Sequence, residues 1–153
     1  MKLLQSYLVA LACLAAAPGL DGVAQEAQPA KSSSRIEYDL KSTMTENVRS
    51  TQAEDLEAMM KTLHPQSPVY ETTRQSVSQV FGKNLQLKYE LVSLKFLAVD
   101  GDYALARIRQ RTTRTPPESF RNNEIDMIVV FKQDDKAWKI WNQTVLEIKY
   151  LSP

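Results

Sequence analysis

The chain has 153 residues, 43% of them hydrophobic, with 19 Lys and Arg against 18 Asp and Glu for a formal net charge of +1. That suits one globular domain, too apolar to stay disordered and too nearly neutral to favour nucleic acid or an anionic membrane as a partner. A single His, at 64, and a single Cys, at 13, exclude His/Cys zinc sites, CxxC redox centres and a disulfide framework, so no metal or cofactor is expected.

Met1-Lys2 gives a short positive start, and Leu3 to Ala17 is apolar apart from Gln5 and Ser6. The run is too short to span a bilayer well and meets Pro18-Gly19. Residues 1–24 therefore read as a secretory signal peptide, cut at Ala24|Gln25 with Ala17 as a second candidate, rather than as an anchor. A secreted or periplasmic location follows, with no membrane attachment after cleavage. Cleavage removes the only Cys, so the mature fold must be held by its core. Residues 25–34 are small and polar and read as a disordered leader to a domain over 35–151.

Ile36, Leu40, Met44 and Val48 recur every four residues with Tyr38 beside them, the pattern of an amphipathic helix started by the serines at 32 to 34. Thr51-x-x-Glu54 reads as a capping box for a second, shorter helix whose stripe is Leu56, Met59, Met60 and Leu63. His64-Pro65 ends it, because a residue before proline is pushed out of helical geometry. Ser67-Pro68 starts a third helix, and Val69, Thr73, Val77, Val80 and Phe81 carry it to a stop at Gly82.

After Gly82 the period becomes 2. Leu85, Leu87, Tyr89 and Leu91 alternate, then Val92, Leu94 and Phe96 continue in the opposite phase, so either both faces are buried or a bulge lies near Leu91-Val92. Asp100-Gly101 is a hairpin signal, followed by a strand over Asp102–Thr115 that Pro116-Pro117-Glu118 breaks. Glu124–Gln133, a tight turn at Asp134-Asp135, and Lys136–Tyr150 complete an α+β architecture of three N-terminal helices and a four-stranded antiparallel meander.

With that second turn, Gln133 faces Lys136, and Trp138, Ile140, Asn142 and Thr144 share a face with Phe131, Val129, Met127 and Ile125. This face should meet the helices, aromatic and aliphatic near the turn and polar at its far end, where a pocket would lie. The other face carries Ile128, Val130, Trp141 and Val145, more apolar than solvent requires. It predicts a sheet-to-sheet homodimer.

Three helices followed by long strands, the phrase Asp100-Gly101-Asp102-Tyr103-Ala104, and Trp138-Lys139-Ile140 followed by Asn142-Gln143 resemble the nuclear transport factor 2-like superfamily and its SnoaL-like domains over residues 35–151. The resemblance implies a cone-shaped fold in which helices cap a strongly curved sheet around an internal pocket, commonly in a homodimer. Its members include isomerases, epoxide hydrolases, polyketide cyclases, transport factors and binding domains, so the fold selects no activity.

Pocket candidates are Tyr38, Tyr70, Gln110, Asn142 and Thr144. A catalytic alternative, an isomerase, cyclase or hydrolase, needs a base in an apolar pocket, for which Asp126 or His64 is available. Asp126 and Glu124 fall on the outer face, however, and His64 before Pro65 reads as a cap or loop residue. Arg107, Arg109 and Arg111 share one strand face, and Arg111 falls opposite Glu90, which reads as a cross-strand salt bridge. The residues thus favour a non-catalytic domain that binds a small apolar or amphipathic ligand or a protein.

Overall fold

The computed structural model describes residues 33–81, 83, 87–114 and 120–151. The expected signal peptide, most of the leader, the Gly82 stop and the Pro116-Pro117-Glu118 connection lie outside the described residues. The elements run α1 (Ser33–Gln52), α2 (Leu56–Lys61), α3 (Tyr70–Phe81), β1 (Leu87–Asp100), β2 (Tyr103–Arg114), β3 (Asn123–Asp134) and β4 (Ala137–Tyr150). The strands form one curved, unclosed antiparallel sheet in the order β1-β2-β3-β4, the expected α+β architecture.

The apolar stripe of α1 is the reason it is a helix and the surface it buries: Ile36, Leu40 and Met44 are all sealed against the sheet. Tyr38 is 68% exposed instead. At 100° per residue it lies about 200° round the helix from Ile36, on the solvent side. Facing the helices are Ala104, Ala106 and Ile108 of β2, Met127, Val129 and Phe131 of β3, and Trp138 and Ile140 of β4, which with Met59, Met60 and Leu63 close one core. Each large aliphatic side chain buried there contributes about 1.5–3 kcal/mol.

The α1–α2 junction differs from the expected capping box. Glu54 sits at φ +53°, and the Glu54 and Asp55 N–H groups donate back to Thr51 O (3.1 Å) and Ser50 O (2.9 Å). This pair of bonds closes the C-terminus of α1, with Glu54 in the left-handed place usually taken by Gly. The cap of α2 is Asp55, whose carboxylate accepts from Ala58 N–H at 2.9 Å. Thr51 remains inside α1, its hydroxyl donating to Asn47 O (2.7 Å).

Beyond α2 the chain runs along β4 for one bridge. Ile140 N–H donates to Thr62 O (2.9 Å) and His64 N–H donates to Ile140 O (2.8 Å). Ser67 then caps the approach to α3, accepting from Val69 N–H while donating to Trp141 O (2.6 Å). These bonds fasten both ends of the 62–67 segment to the sheet, and α3 leans out from there.

Both hairpins turn one residue later than expected. Asp100 pairs with Tyr103 and Asp134 with Ala137, and the first turn residues, Gly101 and Asp135, each sit at φ +54°. Primed hairpin turns require positive φ at that position, which Gly supplies without strain. The expected bulge near Leu91-Val92 is present, with a second between Phe96 and Ala98. Together they offset the displaced turn, so Arg111 still pairs with Glu90. In β4 two register shifts appear, at Val130/Phe131 and at Asp126/Met127. The first leaves Trp141 as the extra residue between Ile140, opposite Phe131, and Asn142, opposite Val130.

Candidate functional site

The helices do not fill the space they enclose. α3 packs on α2 but stands off the sheet, and a cavity of about 280 Å³ opens beneath it. Val69, Thr73 and Val77 form its roof, and Asn47 and Thr51 of α1 and Met59 of α2 form one wall. Its floor is the helix-facing side of the sheet, with Gln110 of β2, Ile125 and Met127 of β3, and Ile140, Asn142, Gln143 and Val145 of β4. The lining is aliphatic with amide and hydroxyl groups set into it, and none of its described residues is ionisable.

Those polar groups differ in what they already do. Asn47 Nδ2 donates to Thr62 Oγ1 (2.7 Å), and Asn142 Oδ1 accepts from Gln143 N–H (2.8 Å). The side chains of Gln110, Gln143 and Thr73 make no hydrogen bond among the described residues. They can therefore serve a guest without breaking a bond of the fold.

Two of the five pocket candidates, Gln110 and Asn142, meet at this cavity. Tyr38 lies instead on the exposed side of α1 beside Lys41 and Thr45. Tyr70 packs against the core at the start of α3, outside the cavity lining. Thr144 falls opposite Ile128 on the outer face, because the extra residue at Trp141 reverses the phase of the strand beyond it. The same reversal brings Gln143, opposite Val129, and Val145, opposite Met127, to the helix side.

Ile128, Val130, Trp141 and Val145 consequently do not form one face. Trp141 is held by its own chain: the His64 ring meets it edge-on at 5.1 Å, Tyr103 does so at 6.0 Å, and Lys132 Nζ lies 4.6 Å from its ring centre. His64 is 4% exposed, its Nδ1 accepting from Gln66 N–H at 3.1 Å, so it serves the 62–67 segment and not the cavity.

The outer face of the sheet is a lattice of charges. Asp126 receives Arg107 through Nε (2.9 Å) and Nη2 (2.6 Å). This hydrogen-bonded guanidinium holds the Asp126 carboxyl below its usual range, the opposite of what a general base in an apolar pocket requires. Glu124 bridges Arg109 (3.4 Å) and Arg111 (3.1 Å), and Arg111 also reaches Glu90 (3.5 Å) as expected. A further hollow, of about 250 Å³, lies at the end of the sheet between Glu54, Val80, Phe81 and Tyr89. Its Gln52 amide is already engaged by Leu87 O and Tyr89 N–H. Burial there, and secondarily the Glu54 charge, raise the Tyr89 phenol above its ordinary value.

The cavity residues that the sequence reading missed are mostly on helices. Thr73 and Val77 were legible as one stripe of α3, but no periodicity says that this stripe faces a space instead of a neighbour. Asn47 carried no signal beyond its position on α1.

Solved structures share this architecture at low sequence identity. An NTF2-like protein of unknown function from Pseudomonas putida superposes with TM-score 0.62 at 14% identity, over 73% of this chain and 86% of that one. An NTF-2 like protein from Shewanella oneidensis gives 0.57 at 12%, over 71% and 96%. The beta subunit of benzoate 1,2-dioxygenase from Burkholderia mallei gives 0.56 at 11%, over 71% and 87%. Among curated proteins none matches significantly. The fold is therefore NTF2-like. In sequence, residues 30–151 match the family described as the C-terminal domain of the anti-sigma-I factor RsgI9, and the chain belongs to that family.

Proposed function

We propose that this chain is an exported, non-catalytic binding domain whose ligand is a small, uncharged, amphipathic molecule held under α3. The observation that carries the reading is the composition of the cavity: aliphatic walls, the unbonded Gln110, Gln143 and Thr73 side chains, and no ionisable residue in the described lining. A charged guest would lose its hydration there with no counter-charge to replace it. A neutral guest with one polar end would bury its apolar part and exchange its water hydrogen bonds for amide and hydroxyl partners. A volume of about 280 Å³ suits a compact molecule.

Binding is also favoured over turnover by where the acids lie. Glu124 and Asp126 are on the far side of the sheet, each satisfied by arginine, and neither faces the guest. The family description, a domain of a regulatory factor, is compatible with recognition as the task. Export rests on the apolar run Leu3 to Ala17 of the sequence.

Native mass spectrometry of protein isolated from its own source tests the proposal. The expected result is a chain shortened by residues 1–24 and carrying a non-covalent mass that is diminished in a Gln110→Leu variant. A chain that carries no such mass and gains no thermal stability from neutral amphipathic compounds refutes it. Recovery of a chemically altered compound would replace it with the catalytic reading.

A further inference from the structure

The two halves of β4 differ in how their open edge is treated. In the first half the chain covers it: Thr43 Oγ1 donates to Trp138 O (2.7 Å), Ile140 exchanges bonds with Thr62 and His64, and Ser67 Oγ donates to Trp141 O (2.6 Å). Past Asn142 no described segment lies along that edge. There Val145, Leu146, Ile148 and Tyr150 are 48 to 53% exposed. An uncovered edge with apolar side chains is a template for another strand.

Backbone phase and charge pattern select the same register for that strand. Leu151 N–H donates inward to Asn122 O (2.8 Å), so by alternation Lys149 and Glu147 turn their backbone groups to β3, while Ile148 and Tyr150 turn theirs to the open side. On the outer face Glu147 and Lys149 flank Ile148, and neither is in a salt bridge among the described residues. The segment is thus self-complementary about Ile148 in an antiparallel pair.

We propose that the open half of β4 pairs with the same segment of a second copy of this chain, two-fold about Ile148. In this register Ile148 exchanges both backbone bonds with the second copy's Ile148. Glu147 faces the second copy's Lys149 twice, once on each side of the axis. A second copy is the occupant that the acid-Ile-base order fits, since the same order read backwards supplies the opposite charges. β1 offers no equivalent, because its exposed Leu97 to Val99 run has no charge within it and Gln52 occupies its edge at Leu87 and Tyr89. The inference is independent of what the cavity binds.

Sedimentation equilibrium of the purified protein and three charge variants tests it. Wild type should be a reversible dimer. Glu147→Lys and Lys149→Glu each place two like-charged pairs across the axis and should raise the dissociation constant about tenfold or more. The double variant Glu147→Lys/Lys149→Glu restores opposite charges in the same register and should dimerise like wild type. Both side chains are exposed, and unchanged circular dichroism will confirm that each variant folds. A monomeric wild type, single variants that dimerise normally, or a double variant no better than the singles would each overturn the proposal.

Discussion

Thr73→Leu separates a cavity kept open for a guest from a defect of packing. Thr73 hangs from the middle of α3 into the cavity, partly buried, with a hydroxyl that bonds nothing among the described residues. Leucine adds two carbons and removes that hydroxyl. Full burial of the added apolar surface would be worth about 1.5 kcal/mol at roughly 0.8 kcal/mol per methylene, and half of it about 0.7. Replacing a β-branched residue inside a helix with Leu adds roughly 0.3–0.4 kcal/mol. Together these predict about 1 kcal/mol of stabilisation, or a Tm about 4 °C higher for a domain of this size. The same side chain occupies the space of the guest, so affinity for a neutral apolar dye such as Nile red should fall about tenfold. Thermal unfolding followed by circular dichroism and a dye titration read the two effects separately. A lower Tm would mean that α3 leaves no room at Thr73, and unchanged dye binding at higher stability would mean that the cavity is not the binding site.

The phase of β4 can be checked by charge: Gln143→Glu, on the cavity floor, should weaken Nile red about tenfold by setting a carboxylate beside an apolar guest, whereas Thr144→Glu should change it less than about twofold. The reverse order would restore an unbroken strand register. Acid should destabilise the fold through four carboxylates held low by hydrogen-bonded partners: Glu46 by Arg49, Glu57 by Arg74, Asp126 by Arg107 and Asp134 by Lys139. Because these groups bind protons less readily folded than unfolded, their contribution is present above the ordinary values of 4.5 for Glu and 3.8 for Asp and is lost as pH falls through the lower folded values. The urea midpoint should therefore hold level near neutrality and drop on acidification past 4.5 and 3.8; a midpoint that stays level across both would contradict these pairings.

What could be read from the sequence divides at the bulges. Within an unbroken stretch, alternation names a face reliably: Ala104, Ala106 and Ile108 are all sealed, and Arg107, Arg109 and Arg111 all face out to Asp126, Glu124 and Glu90. A bulge can be seen in the sequence only when it shifts apolar residues from one phase to the other, as Leu91-Val92 does. At Trp141 the bulge is silent, because Trp138 and Ile140 before it, and Trp141 and Val145 around it, are apolar in both phases. One unmarked residue therefore sent Thr144 to the cavity and Val145 to the outer face in the sequence reading, the reverse of their places. Arg111 and Glu90 met as expected only because two bulges in β1 offset a hairpin turn that comes one residue late.

The same bulge explains why a cavity exists where it does. Before Trp141, β4 presents Trp138 and Ile140 to the helices, and both are buried in a closed core. After it the strand presents Gln143 and Val145, opposite Val129 and Met127, and past the second shift, where Leu146 is the extra residue, Ile148 and Tyr150, opposite Ile125 and Asn123. The segment 62–67 is fastened to β4 only as far as Trp141, so the helices have no anchor on the second half of the strand. Core therefore gives way to cavity at the residue where the strand loses its helix-side hydrogen bonds. Were Trp141 instead paired in an unbroken strand, Thr144 would stand on the helix face and Gln143 and Val145 on the outer one, so the make-up of the cavity floor depends on one inserted residue.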